Sequence, residues 1–171
     1  SEIQSGQNVV IVGVGFLGAL LTDLAKRKGA RVIAVSRRDF ARQVASEMGA
    51  SVTLPFSQDV TREQVMRLTD GRGAECVIEA VGSQSALDIA SPLVAERGRL
   101  VIAGFHQDGK REVDLQSWNW RGIVASVGRP PAIIRAGAAA WTTPQPLSGL
   151  WVRSLQTPKR LPARAWRANR L

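Results

Sequence analysis

The stretch Asn8-Val9-Val10-Ile11-Val12-Gly13-Val14-Gly15-Phe16-Leu17-Gly18 decides how this chain folds. Residues 8–12 are a short β-branched run that stops at a glycine, the pattern of a strand buried on both faces of a parallel sheet. Residues 16–28 then carry apolar side chains at helical spacing, namely Phe16, Leu17, Leu20, Leu21 and Leu24. Lys26, Arg27 and Lys28 fall in the last turn, where cations suit the negative end of a helix, and Gly29 stops it.

Between strand and helix, Gly13, Gly15 and Gly18 make a G-x-G-x-x-G pattern. Alone this pattern is weak. Directly after a buried strand, opening a helix, and inside a βαβ unit, it reads as a dinucleotide-binding turn. Gly13 permits the tight turn, Gly15 leaves room for a pyrophosphate, and Gly18 lets the helix pack closely on the strand. The pyrophosphate would meet free N–H groups and the positive end of the helix. The competing reading is an ordinary strand-to-helix turn.

Working outward, residues 31–35 read as a second buried strand, 39–48 as a second helix closed by Gly49, and 51–54 as a third strand. Thr61 with Gln64 three residues on has capping-box spacing and predicts a helix from 61 to about 69. Residues 70–73 turn into a fourth strand at 76–81, which ends at Gly82. Ser83 then caps a helix reaching about residue 94. Residues 98–103 form a fifth strand ending at Gly104, and residues 118–127 read as a further extended stretch. Strands alternating with helices of this length predict an α/β fold, a doubly wound parallel sheet.

The end of the second strand chooses between the two nicotinamide dinucleotides. An NAD site commonly carries Asp or Glu there, to bind the ribose 2′-hydroxyl. This chain has Ser36 followed by Arg37 and Arg38. A small hydroxyl with guanidinium groups suits a 2′-phosphate, so NADP(H) is expected over NAD(H). The alternative leaves Arg37 and Arg38 as solvated helix-entry residues, with Asp39 a neutralising partner.

In an open parallel sheet, ligands lie outside the carboxyl ends of the strands. Val81 and Gly82, and Ala103, Gly104 and Phe105, stand at two such ends, with glycines that either admit a cofactor or merely make turns. Cys76 reads as a small core hydrophobe. Glu79 could face the site but has no evident partner, and His106, just past the fifth strand, could contact ligand. Trp118 and Trp120 are expected to pack on one face of an extended segment.

The formal net charge of the 171 residues is +9. Residues 1–128 hold 15 Lys/Arg against 14 Asp/Glu, whereas residues 129–171 hold 8 Lys/Arg and no acid. Basicity thus describes the tail, not the domain at 1–128. Within the tail, Arg, Ala, Pro and Trp supply 24 of 43 residues. Six prolines break it, leaving only 132–140 as a short helix candidate and the rest expected to be disordered. The composition is what GC-rich coding sequence read out of frame would give, a hypothesis that the codons for residues 123–137 test.

One cysteine excludes an intrachain disulfide and any multi-cysteine zinc site, and one histidine adds nothing to build with. No signal segment or membrane span is legible, so a cytoplasmic protein is expected. The first residue is Ser rather than Met, which predicts processing or a piece of something longer.

The glycine turn, together with Gly71-Arg72-Gly73-Ala74-Glu75-Cys76-Val77-Ile78-Glu79-Ala80-Val81-Gly82 and Gly98-Arg99-Leu100-Val101-Ile102-Ala103-Gly104, resembles the coenzyme-binding (Rossmann) domain of medium-chain, zinc-type alcohol dehydrogenases. The resemblance covers about residues 6–127 and is lost after 137. It implies an NAD(P)-dependent oxidoreductase that moves hydride between nicotinamide and an alcohol or carbonyl. It implies cofactor contacts at Gly13, Gly15, Phe16, Leu17, Ser36, Arg37, Arg38, Val81, Gly82, Ala103, Gly104 and Phe105. It also implies a homo-oligomer formed through the sheet edge, and a separate catalytic domain that supplies zinc ligands and substrate pocket. No such domain is legible here, so this chain is expected to bind no zinc and to be inactive alone. A stand-alone NADP(H)-binding module without catalysis is the alternative, and a nucleic-acid contact through the Trp-Arg neighbours of the tail is a weaker third.

Overall fold

The β-branched run forms strand β1, Asn8–Val12, whose Val9, Val10, Ile11 and Val12 are wholly buried. Full burial of each such side chain contributes about 1.5–3 kcal/mol, which makes this strand the centre of the core. The structure is a computed structural model and describes residues 3–128, all within a unit spanning 1–129. The helix candidate at 132–140 and the disorder expected of the tail lie outside the described residues.

Helix α1, Phe16–Arg27, follows β1 and leads into β2, Arg31–Ser36. Then come α2 (Asp39–Glu47), β3 (Val52–Pro55), α3 (Gln58–Leu68) and β4 (Ala74–Glu79). Helix α4, Gln84–Ala90, runs into a short 3₁₀ turn, Ser91–Leu93, and β5, Val94–Ile102. A six-residue helix α5, Leu115–Trp120, and strand β6, Val124–Val127, complete the described chain.

The strands make one parallel sheet in the order β3-β2-β1-β4-β5-β6. Order reverses between β1 and β4, so their carboxyl ends flank the topological switch point. Residues of α3 and α4 pack over one sheet face with Val10, Val12, Ile33, Val77 and Leu100. The other face buries Val9, Ile11, Val32, Cys76 and Ile78 against Ala25 of α1. This is the doubly wound α/β fold.

Several local expectations need correction. Residues 118–127 are not one extended stretch. Asp114 caps α5 by accepting from the Ser117 N–H at 2.8 Å, and β6 begins only after the turn at Gly122. Trp118 and Trp120 therefore do not share a strand face: the Trp118 indole packs on the core and donates to Ser91, while Trp120 is 87% exposed. Thr61 does not open α3. That helix starts at Gln58, and the buried Thr61 hydroxyl donates to the Pro55 carbonyl at 2.7 Å, tying helix to strand. Strand β4 spans Ala74–Glu79 rather than 76–81, and β5 begins at Val94 rather than 98.

Helix α1 holds the most informative difference. The face it turns to the sheet carries Gly18, Thr22 and Ala25, small residues that allow close approach. Its large apolar side chains mostly face away, with Phe16, Leu17, Leu20 and Leu24 all exposed. Spacing alone found the helix but not which stripe the core takes.

Candidate dinucleotide site

Each glycine of the turn meets a distinct physical demand. Gly13 has φ +101°, and a Cβ there would lie 2.3 Å from Val81 Cγ2. Its N–H donates to the Val35 carbonyl at 2.8 Å, so the turn is tied to β2 while touching the end of β4. A Cβ on Gly18 would come within 1.9 Å of the Gly13 carbonyl oxygen. Gly15 differs from both: a Cβ there would meet nothing within 4 Å. Among the described residues, then, no protein atom demands glycine at 15, and open space adjoins its backbone.

Gly15 is the N-cap of α1, and the first helical bond runs from the Ala19 N–H to the Gly15 carbonyl at 2.9 Å. The amides of Phe16, Leu17 and Gly18 precede that bond and point out of the helix end. No acidic residue occupies the first turn. The helix end thus presents positive partial charge into open space, at the carboxyl end of the central strand.

At the end of β2, Ser36 is buried and Arg37 and Arg38 are exposed. Arg37 stacks on Phe56 with its guanidinium carbon 4.5 Å from the ring centroid, and its Nη2 donates to Ser85 Oγ at 3.2 Å. Asp39 does not neutralise either arginine. It pairs with Arg42, which also donates to the carbonyls of Ser36 at 3.0 Å and Arg37 at 3.3 Å. Among the described residues no carboxylate lies within ion-pair distance of Arg37 or Arg38. Arg42 was not legible as part of this cluster, because its role depends on how the helix folds back over the strand end.

Across the switch point, the other two glycines meet a packing demand between the strand ends. Gly82 has φ +87°, and a Cβ on it would lie 2.4 Å from the Phe105 carbonyl oxygen. A Cβ on Gly104 would stand 2.2 Å from the Gly82 nitrogen. The pair allow the ends of β4 and β5 to pack on each other. Val81 and Phe105 flank this contact with exposed apolar side chains, while Ala103 is half-buried against the sheet.

Glu79, read as lacking a partner, has several. It is wholly buried, and its Oε1 accepts the N–H groups of Val81 and Gly82, both at 2.7 Å. Its Oε2 lies 3.0 Å from His106 Nε2. Sequence alone offered no signal for this, since 27 residues separate the two side chains. Cys76 is buried as expected, and burial pushes its thiol up from the ordinary range.

Among the described residues, no group of three or more His, Cys, Asp or Glu side chains is gathered to hold a metal. None of their helices is long and apolar enough to cross a membrane. A crevice of about 1070 Å³ lies near Arg62, Arg72 and Glu96 at the amino ends of β4 and β5. That is the opposite end of the sheet from the glycine turn, where α/β sheets do not bind their ligands.

The chain is similar in sequence and fold to known dehydrogenases. An L-threonine 3-dehydrogenase from Pyrococcus abyssi is 37% identical over 115 residues, covering 66% of this chain and 32% of that protein. The NADP-dependent isopropanol dehydrogenase of Clostridium beijerinckii is 34% identical over 110 residues, covering 64% of this chain and 31% of that protein. Mycobacterial Rv1454c, solved in complex with NADPH, superposes with a TM-score of 0.67 at 26% identity, over 74% of this chain and 40% of that one. The chain spans about a third of the length of the curated relatives it matches. The zinc-binding dehydrogenase family matches residues 17–127, and the chain belongs to that family.

Proposed function

We propose that this chain is the nicotinamide-dinucleotide-binding domain of an alcohol dehydrogenase-like oxidoreductase, and that it prefers NADP(H). The observation that carries the reading is Gly15. It is a glycine that the fold does not need, beside a free helix end, at the switch point of the sheet. Gly15, Phe16, Leu17 and Gly18 would hold the pyrophosphate through backbone N–H groups, with Gly13 making the turn beside it. Ser36, Arg37 and Arg38 would hold the 2′-phosphate, with Arg42 bracing the strand end beneath them. Val81, Gly82, Ala103, Gly104 and Phe105 would line the remaining half. The NADP-dependent relative and the NADPH-bound neighbour support the reading.

When bound, such a cofactor accepts or gives a hydride as an alcohol becomes a carbonyl or the reverse. This chain's residues bind it, orient it and give one face of it an apolar wall. Zinc does not fit the described residues: Cys76 is locked in the sheet, and both ring nitrogens of His106 are engaged. We place substrate chemistry in sequence that the relatives have and this chain does not span. The exposed apolar stripe of α1, Phe16, Leu17, Leu20 and Leu24, is surface that such a domain would cover. The strand edge at β6 is the proposed homo-oligomer contact.

The testing experiment titrates the full chain with NADPH and NADH at low salt, following nicotinamide fluorescence. Tighter binding of NADPH supports the whole reading. Tighter NADH keeps the domain assignment and overturns the cofactor choice. Binding of neither overturns the reading for this chain.

A further inference from the structure

The ends of β4 and β5 are joined by a polar network that cofactor binding does not by itself require. Glu79 closes β4 and sends Oε1 to the two amides that follow it, Val81 and Gly82. Its Oε2 faces His106 Nε2 at 3.0 Å. The other ring nitrogen, Nδ1, lies 2.8 Å from Arg111 Nε. Arg111 also donates to the Gly82 carbonyl at 3.2 Å and pairs with Asp108. That pairing holds the Asp108 carboxyl below its ordinary range.

These contacts fix the tautomer. An arginine side chain has donors and no acceptor, so Nδ1 must offer its lone pair. The ring is then neutral, with its proton on Nε2, and that proton goes to Oε2. The opposite tautomer would set N–H against N–H at Arg111 and two lone pairs against each other at Glu79. Two links, Glu79 to His106 and the Gly82 carbonyl to Arg111, join the end of β4 and the turn after it to the loop after β5.

The strand order says what these loops would do. The Ser36–Arg38 cluster lies on the β2 side of β1, and the glycine turn lies at β1 itself. A dinucleotide with its 2′-phosphate at β2 and its pyrophosphate at Gly15 must extend its nicotinamide half towards β4 and β5. There Val81 and Phe105 stand exposed on the two loops that the network joins.

We infer that Glu79, His106 and Arg111 are positioning residues for the nicotinamide half of the cofactor, and that they act through the Nε2–H tautomer of His106. This rests on the cofactor reading above. With the clamp closed, the two loops are preorganised and the cofactor does not bear the cost of ordering them. The adenosine half, on the far side of β1, is independent of the clamp.

The test compares NADPH with adenosine 2′,5′-bisphosphate, a fragment lacking the nicotinamide half, on the full chain. His106→Ala weakens NADPH about tenfold and leaves the fragment within about twofold, the size expected for one lost polar link. His106→Gln, whose amide N–H can still reach Glu79, recovers most of the loss. Equal weakening of both ligands would reduce the network to ordinary stability, and no weakening of either would remove it from binding altogether. If the chain prefers NAD(H), then NADH and ADP take the same roles. If the unsubstituted chain binds no dinucleotide, the cofactor reading fails first and takes this inference with it. The chain has a single histidine, so a long-range ¹H–¹⁵N spectrum shows one imidazole and reads the tautomer without any ligand. An Nδ1–H ring or an imidazolium at neutral pH overturns the inference whatever the variants do.

Discussion

Gly18 lies so close over Gly13 that a Cβ on the first would stand 1.9 Å from the carbonyl oxygen of the second. The obstructing atom is backbone, in a turn whose own N–H is tied to Val35, so neither side has room to yield. Gly18→Ala is therefore expected to destabilise the domain by about 1–3 kcal/mol, the usual cost of overpacking. In a domain of this size that is a fall in Tm of roughly 4–15 °C. A thermal melt within a degree of the unsubstituted chain would show that helix and strand can separate.

Gly15→Ala is expected to behave in the opposite way. The position has φ −97°, which any residue adopts, and a Cβ would meet nothing within 4 Å. Loss of a glycine N-cap costs at most about 1 kcal/mol, so the melt changes little. The added methyl would stand where the pyrophosphate is proposed to sit, and NADPH affinity should fall by about tenfold or more. Stability and binding thus separate between two glycines three residues apart. If Gly15→Ala binds NADPH as well as its parent, the phosphate does not lie there.

The contrast marks what could be read from the chain and what could not. Strands at 8–12 and 31–35 and the helix from Phe16 were legible because β-branched runs and glycine stops are local signals. The roles of Gly13 and Gly18 followed from the same spacing. The buried face of α1 was not legible, since close packing selects Gly18, Thr22 and Ala25 over the larger leucines. Helix α5 is not legible because Trp118 and Trp120 alternate like strand residues, although Asp114 caps it. The partners of Glu79 were invisible for a different reason: His106 and Arg111 reach it only once β4 and β5 lie side by side. Local order was in the sequence, and the polar network needed the sheet.

Arg37→Ala should weaken NADPH more than NADH. Arg37 already has its guanidinium set by Phe56 and Ser85, and no carboxylate among the described residues competes for it. One charge-assisted bond to an exposed phosphate is worth about a tenfold change in affinity, and rising salt should erode it. NADH, lacking that phosphate, should move by no more than about twofold. Equal loss for the two cofactors would place the 2′ end of the dinucleotide elsewhere.

Strand β6 pairs with β5 on one side, and all four of its residues are exposed. Val124 and Val127 leave apolar surface on that strand, where natural edges usually place charge. A second copy of the chain adding there would cover it. Light scattering across a concentration series should then show association, and the double substitution Val124→Lys, Val127→Lys should abolish it without shifting the melt by more than a few degrees. A chain that is monomeric at all concentrations would leave the edge without this role.

Cys76 offers a test of the core itself. Its thiol is buried in β4, and desolvation raises its pKa, with Arg99 a smaller opposing influence. The thiolate is the reactive form, so at neutral pH a thiol reagent should label the folded chain slowly and the denatured chain at once. The same shift sets a pH dependence. The unfolded thiol ionises near its ordinary value of 9.0 and the folded thiol only above it. Between those points the folded state holds more protons than the unfolded one, so stability falls as pH rises. Below that window the group has no effect. Cys76→Ala opens a small cavity and lowers stability at every pH, but it should flatten the alkaline decline. Fast labelling of the folded chain at pH 7 would mean that β4 opens far more often than a central strand should.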